Sequence, residues 1–279
     1  MTVSGRADNS LSYFQSYDGR QQITSQLWKV IEDGEKSKDS RPSTFRTGLE
    51  DQFRGPGWMP RFYYSHYHIM AAAFFARQSA QLEREYRSKE SISSEAFSQH
   101  RAYVTGSIFS AVSFLEGQIN EVFTDADDDR RDFIHNLGDR SFLLAEMWNL
   151  DVPGTASYPI LRKYEIALAL ARKESLDRGA LSYCDAKLLI RLRNALIHYE
   201  PLSSTSSAKS SQDEEQRFRG KFPINPLTGS KTPFFPERCL GHDCAKWAVE
   251  SSIRFVDHFC SKLKIEPVFN SIRNSLVAE

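Results

Sequence analysis

Residues 188–201 read Leu-Leu-Ile-Arg-Leu-Arg-Asn-Ala-Leu-Ile-His-Tyr-Glu-Pro, and this stretch decides which fold the chain can adopt. At roughly 100° per residue in a helix, four polar side chains share one narrow stripe: Lys187, Arg191, Asn194 and His198. The opposite side is apolar and comprises Leu188, Leu189, Leu192, Ala195, Leu196 and Tyr199. The pattern therefore predicts a helix with one side packed on a core and one side that presents polar groups.

Arg193 falls outside this division, because leucine side chains flank it on one side and isoleucine side chains, Ile190 and Ile197, flank it on the other. A guanidinium enclosed by aliphatic groups needs a partner, since its burial without one costs several kcal/mol. Its planar fork suits a phosphate or a carboxylate. An anionic group is therefore the partner that this arginine requires.

His198 lies about 140° from Arg193 around an ideal helix, which is too far for both side chains to meet over one atom. Pro201 offers a way to bring them together. Its ring cannot continue the helix, and it pushes Glu200 out of the helical region. We therefore expect His198 to lie in a last turn that can loosen and swing its ring toward Arg193.

Residues 193–198, Arg-Asn-Ala-Leu-Ile-His, resemble the signature of the HEPN superfamily (higher eukaryotes and prokaryotes nucleotide-binding). In that signature an arginine and a polar residue are followed by three variable residues and a histidine. Members are small helical bundles that dimerise, and many are metal-independent endoribonucleases. The resemblance implies that Arg193 and His198 of both subunits meet across a twofold interface, with Asn194 supporting them. Ile190 and Ile197 form a second apolar strip that such a contact would cover.

Two further stretches resemble core helices of HEPN domains. Residues 114–123, Phe-Leu-Glu-Gly-Gln-Ile-Asn-Glu-Val-Phe, are similar to the first core helix, and residues 245–250, Ala-Lys-Trp-Ala-Val-Glu, are similar to the last. Glu116 and Asn120 are four residues apart and share a helix face. The resemblance implies that Glu116 pairs with Arg193; a solvent-exposed glutamate is the alternative.

Helical periodicity recurs along most of the chain and predicts an all-α fold, a helical bundle of HEPN type. We expect residues 1–58 to form a partly disordered N-terminal extension with a short helix over 20–33, and residues 59–279 to form the helical domain. Within that domain, residues 201–237 are predicted to be a long loop before the last helix. The other predicted helices span 60–87, 94–123, 143–150 and 159–176, one starting at Ser182 or Asp185, and 239–263.

The loop combines basic and aromatic residues. Arg217, Arg219 and Lys221 alternate with Phe218 and Phe222, and such a pattern could grip single-stranded RNA by charge and stacking. The same phenylalanines could instead anchor the loop on the bundle. Both interpretations remain open at the level of sequence.

Charge and composition limit the classes of function. Lysine plus arginine and aspartate plus glutamate both total 36 in 279 residues, so no global field attracts nucleic acid, and RNA must be bound by a local patch. No apolar signal core is present at the N-terminus, and the longest apolar run, 69–76, is too short to cross a membrane. We expect a cytoplasmic protein without membrane contact.

Neither a metal nor a cofactor is expected. The four cysteines of this long chain do not form a disulfide framework. Cys239-Leu-Gly-His-Asp-Cys groups three potential zinc ligands, but no second pair matches them. The sequence has no glycine-rich phosphate loop, no His-Glu-x-x-His and no nucleophile elbow.

The first predicted function is metal-independent cleavage of RNA by its own 2′-hydroxyl, which leaves a 2′,3′-cyclic phosphate. His198 would transfer protons and Arg193 would stabilise the charge of the phosphorane, with Lys187 and Arg191 supporting them. The alternative is a non-catalytic module that binds a nucleotide, an RNA or a protein. A third interpretation makes Arg193 and His198 purely structural.

The family associates such enzymes with stress or phage defence. Toxin members that pair with nucleotidyltransferase antitoxins often have a tyrosine two places after the histidine, whereas here Tyr199 follows directly and Glu200 takes the second place. This departure argues against regulation through that tyrosine. An antitoxin or another protein partner is not identified by the sequence.

Overall fold

Helices account for the regular structure of the part of the chain that the structure describes. The computed structural model describes residues 62–89, 91–127, 141–149, 158–199 and 213–279, and within these ranges it contains helices and turns but no β-strand. The predicted all-α class is thereby confirmed. The α-helices are α1 (Tyr64–Tyr86), α2 (Ser94–Asp127), α3 (Ser141–Asn149), α4 (Ile160–Leu170), α5 (Leu181–Ile197), α6 (213–218) and α7 (His242–Leu263).

Two shorter elements flank α7: a π-helical turn at Phe234–Arg238 and a 3₁₀ helix at Val268–Leu276. The N-terminal extension predicted for residues 1–58, with its helix over 20–33, lies outside the described residues. Residues 201–212 of the predicted insert also lie outside them. The remainder of the insert contains α6 and the π-helical turn.

The core forms around the long helix α2. Helix α1 packs along it, α7 packs against both, and α5 contacts α7 and α2. The apolar stripe predicted for α2 is confirmed, because all its members are buried: Ile108, Val112, Leu115, Ile119 and Val122. None of the described helices is both long enough and apolar enough to span a membrane.

The C-terminus predicted for α4 is wrong: the helix ends at Leu170 rather than at residue 176. Arg172 adopts a left-handed backbone conformation with φ of 50°. The Arg172 N–H donates to the Ala169 carbonyl at 3.0 Å, and the Lys173 N–H donates to the Leu168 carbonyl at 2.9 Å. These two bonds form a Schellman cap, for which glycine is the usual signal. Because arginine occupies the left-handed position, the sequence does not reveal this end.

The predicted start of α5 is also wrong, because neither Ser182 nor Asp185 caps the helix. Ala180 is the N-cap residue and makes no side-chain capping bond. The Ser182 hydroxyl shares a hydrogen bond of 2.8 Å with His258 Nδ1, and the buried Asp185 accepts hydrogen bonds from Lys221 and Arg254 at 2.7 and 3.2 Å. Both side chains therefore bond to other elements instead of capping the backbone of α5. These contacts fix α5 against α7 and the loop.

Helix α7 begins three residues later than predicted, after a tight approach of two backbone segments. The Asn225 side chain donates to the Leu240 carbonyl at 2.9 Å, and the Asn225 N–H donates to the Arg238 carbonyl at 2.7 Å. A Cβ atom on Gly241 would lie 2.8 Å from the Asn225 Cα atom, so this position requires glycine. The loop is thereby held at the start of the last long helix.

Candidate functional site: the polar face of helix α5

Helix α5 has the two faces predicted for it. Four side chains of the polar stripe are exposed: Lys187, Arg191, Asn194 and His198. On the other side Leu189 and Leu192 are fully buried, and Leu188, Ala195 and Leu196 pack against the core. Tyr199 is the exception on the apolar side, because it is 38% exposed, with its ring 6.1 Å from that of Phe235.

His198 lies just beyond the helix, as the loosened last turn predicts. Helix α5 ends at Ile197, and His198 is its C-cap residue with φ of −100° and ψ of 30°. Its backbone N–H still donates to the Asn194 carbonyl at 2.9 Å. The imidazole is exposed and makes no hydrogen bond within the described part of the chain. It is therefore available to a ligand.

Arg193 is half-buried, and its Nε atom is buried without a hydrogen-bond partner. The described residues provide no ion pair for its guanidinium. A buried donor without a partner costs about 1–3 kcal/mol. The anionic partner that the sequence requires is thus absent from the described part of this chain, and a ligand or a second chain could supply it.

The predicted pairing of Glu116 with Arg193 is wrong. Glu116 instead lies 3.3 Å from the ammonium of Lys163, which also donates to the Asn120 side-chain carbonyl at 3.1 Å. Lys163 is buried at an apolar position of α4, so it needs both oxygens to offset the loss of water. Glu116 and Asn120 do share a face, as expected, but they serve the contact between α2 and α4.

A cavity of about 750 Å³ opens beside the polar stripe. Its walls come mainly from α5 and comprise Cys184, Lys187, Leu188, Ile190, Arg191, Asn194, Ala195 and Arg217. Basic and amide groups lie beside apolar side chains, an arrangement that suits a ligand with an anionic part and a flat apolar part. His198 lies one turn beyond Asn194 and is not part of the cavity wall.

The carboxylate of Glu214 lies against this cavity wall. Arg191 donates to it through Nε at 3.1 Å and through a terminal nitrogen at 2.6 Å, and Arg217 Nε approaches the same carboxylate at 3.9 Å. Glu214 is 6% exposed, whereas Arg191 is on the surface. The hydrogen bond between Arg191 and Glu214 raises the pKa of Arg191 above its ordinary value. Sequence reasoning missed Glu214, because nothing in its surroundings in the sequence marks it as buried.

The predicted RNA-binding residues of the loop do not converge on one place. Arg217 borders the α5 cavity, Arg219 is exposed, and Lys221 binds Asp185 at 2.7 Å beside a second cavity of about 380 Å³. The phenylalanines anchor the loop: Phe218 is buried, with its ring 6.1 Å from Trp247, and Phe222 lies 5.3 Å from that tryptophan. Of the two interpretations, the structure shows the anchored loop.

The group Cys239, His242 and Cys244 is packed into the bundle. His242 Nδ1 lies 3.0 Å from the Ala76 carbonyl, and both cysteines are fully buried. Burial raises the pKa of the Cys244 thiol well above its ordinary value, and the thiolate is the form that binds zinc. Among the described residues, no three histidine, cysteine or acidic side chains are placed to hold a metal ion.

The chain was compared with protein-family models, with curated proteins and with solved structures, and none of the three comparisons found a match.

Proposed function

We propose that this protein is a metal-independent endoribonuclease of HEPN type that acts as a homodimer through the polar face of α5. The observation that carries the proposal is the surroundings of two side chains within residues 193–198. Arg193 holds a buried Nε without a partner, and His198, five residues later, is exposed at the loosened helix end. An RNA linkage suits both, since its phosphate supplies the anion for Arg193 and its 2′-hydroxyl supplies a proton for His198 to accept.

The proposed reaction uses the nucleophile that RNA carries. His198 of one subunit accepts the proton of the 2′-hydroxyl as that oxygen attacks the adjacent phosphorus. His198 of the other subunit donates a proton to the leaving 5′-oxygen, so that the products are a 2′,3′-cyclic phosphate and a 5′-hydroxyl. Arg193 stabilises the added charge of the phosphorane, and Asn194 orients the phosphate or the imidazole.

The surrounding charge supports the binding of a polyanion. The chain as a whole has a net charge of zero, whereas the α5 cavity wall holds Lys187, Arg191 and Arg217. Lys187 makes no ion pair with any described residue. A local patch of this kind suits RNA strands that pass along the helix toward His198. A cytoplasmic location, which is expected from the sequence, and a role in stress or phage defence, which rests on the resemblance, belong to the same proposal.

The test is cleavage of total RNA by the purified protein in EDTA, with mapping of the new ends. We expect His198→Ala to lower cleavage by at least about a hundredfold, since proton transfer contributes about 10²–10⁴ to such reactions. The matched control is His68→Ala, because His68 is half-buried on α1 and has no hydrogen bond in the described part of the chain.

The substitution at His198 should leave helix content unchanged, because the side chain is exposed and makes no hydrogen bond with a described residue. The oligomeric state should also be unchanged, because alanine introduces no charge at the proposed subunit contact. Undiminished cleavage by the His198 variant, or loss of wild-type cleavage in EDTA, would contradict the proposal.

A non-catalytic binding module is the second candidate, and the position of the cavity favours it. The cavity wall includes Lys187, Arg191 and Asn194 but not His198, so a ligand could bind there without meeting the imidazole. This candidate predicts saturable binding of RNA or a nucleotide without cleavage. Binding would be weakened by Arg191→Gln and unaffected by His198→Ala.

A further inference from the structure

The contact between Glu214 and Arg191 places an anion of the protein itself on the candidate RNA-binding face. Nε and a terminal nitrogen of Arg191 donate to the same oxygen of Glu214 at 3.1 and 2.6 Å, and Nε also lies 3.4 Å from the second oxygen. Arginine can present the same two nitrogens to a phosphate. Arg217 borders the same cavity and lies 3.9 Å from the carboxylate. The Glu214 carboxylate therefore binds one of the three cations in the cavity wall, Arg191, and lies near a second, Arg217.

The position of Glu214 is set by its own element rather than by the arginine alone. Glu214 lies on the short helix α6, and Phe218, one turn further along, is 1% exposed and packs beside Trp247. The carboxylate is thus presented to α5 from a helix that is anchored on α7. Arg191, by contrast, has 47% of its side chain exposed and can rotate toward another anion.

We propose that Glu214 is an autoinhibitory anion: it competes with the RNA backbone for Arg191 and must be displaced when RNA binds to the α5 face. The inference rests on the proposed function, because it concerns the same face and the same ligand. The RNA phosphate replaces the carboxylate at the guanidinium, and Glu214 separates from it to avoid repulsion between the two anions. Affinity for RNA is held below the value that Lys187, Arg191 and Arg217 would otherwise provide.

The competing interpretation is that this ion pair only stabilises the fold. A purely stabilising ion pair has no effect on RNA affinity beyond that of one unit of charge. An autoinhibitory anion has a specific effect on affinity that a neighbouring acidic residue does not share. The chain offers such a neighbour in Glu215, which lies on the same short helix and makes no ion pair with any described residue.

The experiment measures binding separately from cleavage. A fluorescent single-stranded RNA of about ten nucleotides with 2′-O-methyl groups lacks the attacking hydroxyl, so it reports affinity alone. We expect Glu214→Gln to bind it about tenfold more tightly than the wild-type protein. Glu215→Gln, with the same change of net charge, should stay within about twofold of the wild type.

The salt dependence of binding provides a second readout. A cation released to the RNA backbone neutralises a further phosphate, and each such contact with a single strand steepens the slope of log affinity against log salt by about 0.7. Glu214→Gln should show this change and Glu215→Gln should not. Glu214→Asp keeps the charge but shortens the reach to Arg191, so it should also tighten binding, by a smaller factor.

The reactivity of the Cys184 thiol shows whether RNA binds at the α5 cavity. Its thiol lies in the wall of the α5 cavity and is half-exposed, whereas Cys239, Cys244 and Cys260 are buried. Bound RNA should therefore slow the reaction of Cys184 with a thiol reagent. Circular dichroism and thermal melting of each variant check that its helices are intact.

Each outcome decides the matter. Tighter binding by Glu214→Gln with protection of Cys184 supports the inference, including the case in which the wild-type protein does not bind measurably. Equal affinity in the wild type and Glu214→Gln, or bound RNA that leaves Cys184 fully reactive, overturns it, while the proposed function is judged by His198-dependent cleavage. If no variant binds the RNA probe, the inference fails, and His198-dependent cleavage of total RNA still decides the proposed function.

Discussion

Arg193 and Arg191 lie two residues apart on α5 and have opposite surroundings. Arg191 is on the surface and binds the buried carboxylate of Glu214, whereas Arg193 is half-buried and its Nε has no partner. A buried donor atom without a partner destabilises the folded chain. In the proposed site a ligand or a second subunit supplies that partner.

Because of this contrast, replacing each arginine with methionine should have opposite effects on the free energy of unfolding. Arg193→Met removes the unsatisfied donor and fits the aliphatic surroundings, so the free energy of unfolding should stay the same or rise by about 1 kcal/mol. RNA binding and cleavage should be lost. Arg191→Met leaves Glu214 buried without the hydrogen bonds from Arg191 and should lower the free energy of unfolding by about 1–3 kcal/mol.

Urea denaturation followed by circular dichroism measures both changes. A loss of several kcal/mol in Arg193→Met would show that the guanidinium has a structural partner, and the proposed role of Arg193 would then be withdrawn. The informative result is therefore which of the two variants has the lower free energy of unfolding.

At the scale of elements, Glu165 joins α4 to α5 and to the segment between them. It accepts two hydrogen bonds from Arg178 at 2.8 Å each, one from Arg162 at 2.9 Å and one from the Tyr183 hydroxyl at 3.0 Å. The Arg178 hydrogen bonds lower the pKa of Glu165 to about 2, with Arg162 and Tyr183 contributing further. This network holds the start of the signature helix.

A lowered carboxyl pKa makes the stabilisation depend on pH in one direction. The contribution of Glu165 is present above its ordinary pKa of 4.5 and is lost as the pH falls toward its folded value of about 2. Glu165→Gln should therefore be less stable than the wild type at pH 7, by about 1–3 kcal/mol. The difference should shrink between pH 4.5 and 2.

Denaturation at a series of pH values measures this difference. Glu146→Gln is the control, because Glu146 is exposed on α3 and makes no ion pair with a described residue, so its stability should follow the wild type at every pH. A gap between Glu165→Gln and the wild type that does not vary with pH would contradict the assignment.

The helices themselves were predictable, and several of their ends were not. The apolar stripes of α2 and α5 are visible in the sequence because a helix repeats every 3.6 residues, whatever it packs against. The end of α4 depends on Arg172 accepting a left-handed conformation, and Ser182 and Asp185 lie inside α5 and bond to other elements instead of capping it. Neither event leaves a local signal.

At the scale of the whole molecule, an exposed apolar side chain within residues 193–198 is the centre of the proposed subunit contact. Ile197 is 51% exposed, whereas Ile190, the other member of the predicted apolar strip, is half-buried and packs against the core. Covering such groups provides about 25 cal/mol per Å² of apolar surface. In the proposed dimer this contact also brings the second His198 into the site.

We expect Ile197→Glu to convert the dimer into a monomer and to abolish cleavage while each chain stays folded, because the side chain is not part of the core. Val277→Glu places the same charge on another exposed apolar residue, 58% exposed in the C-terminal segment that contacts α1, and should leave the dimer intact. Sedimentation velocity distinguishes the two states. A wild-type protein that is monomeric yet cleaves RNA would refute the dimeric site.

The sequence by itself determined the helical class, the polar stripe of Lys187, Arg191, Asn194 and His198, and the conflict at Arg193. These follow from the helical period and from the cost of enclosing a charge, which are local properties. Only the tertiary structure decided which partners the charged groups take: Lys163 for Glu116, Arg191 for Glu214, and none among the described residues for Arg193. Such pairs depend on how helices distant in sequence are placed together, and no periodicity along the chain encodes that placement.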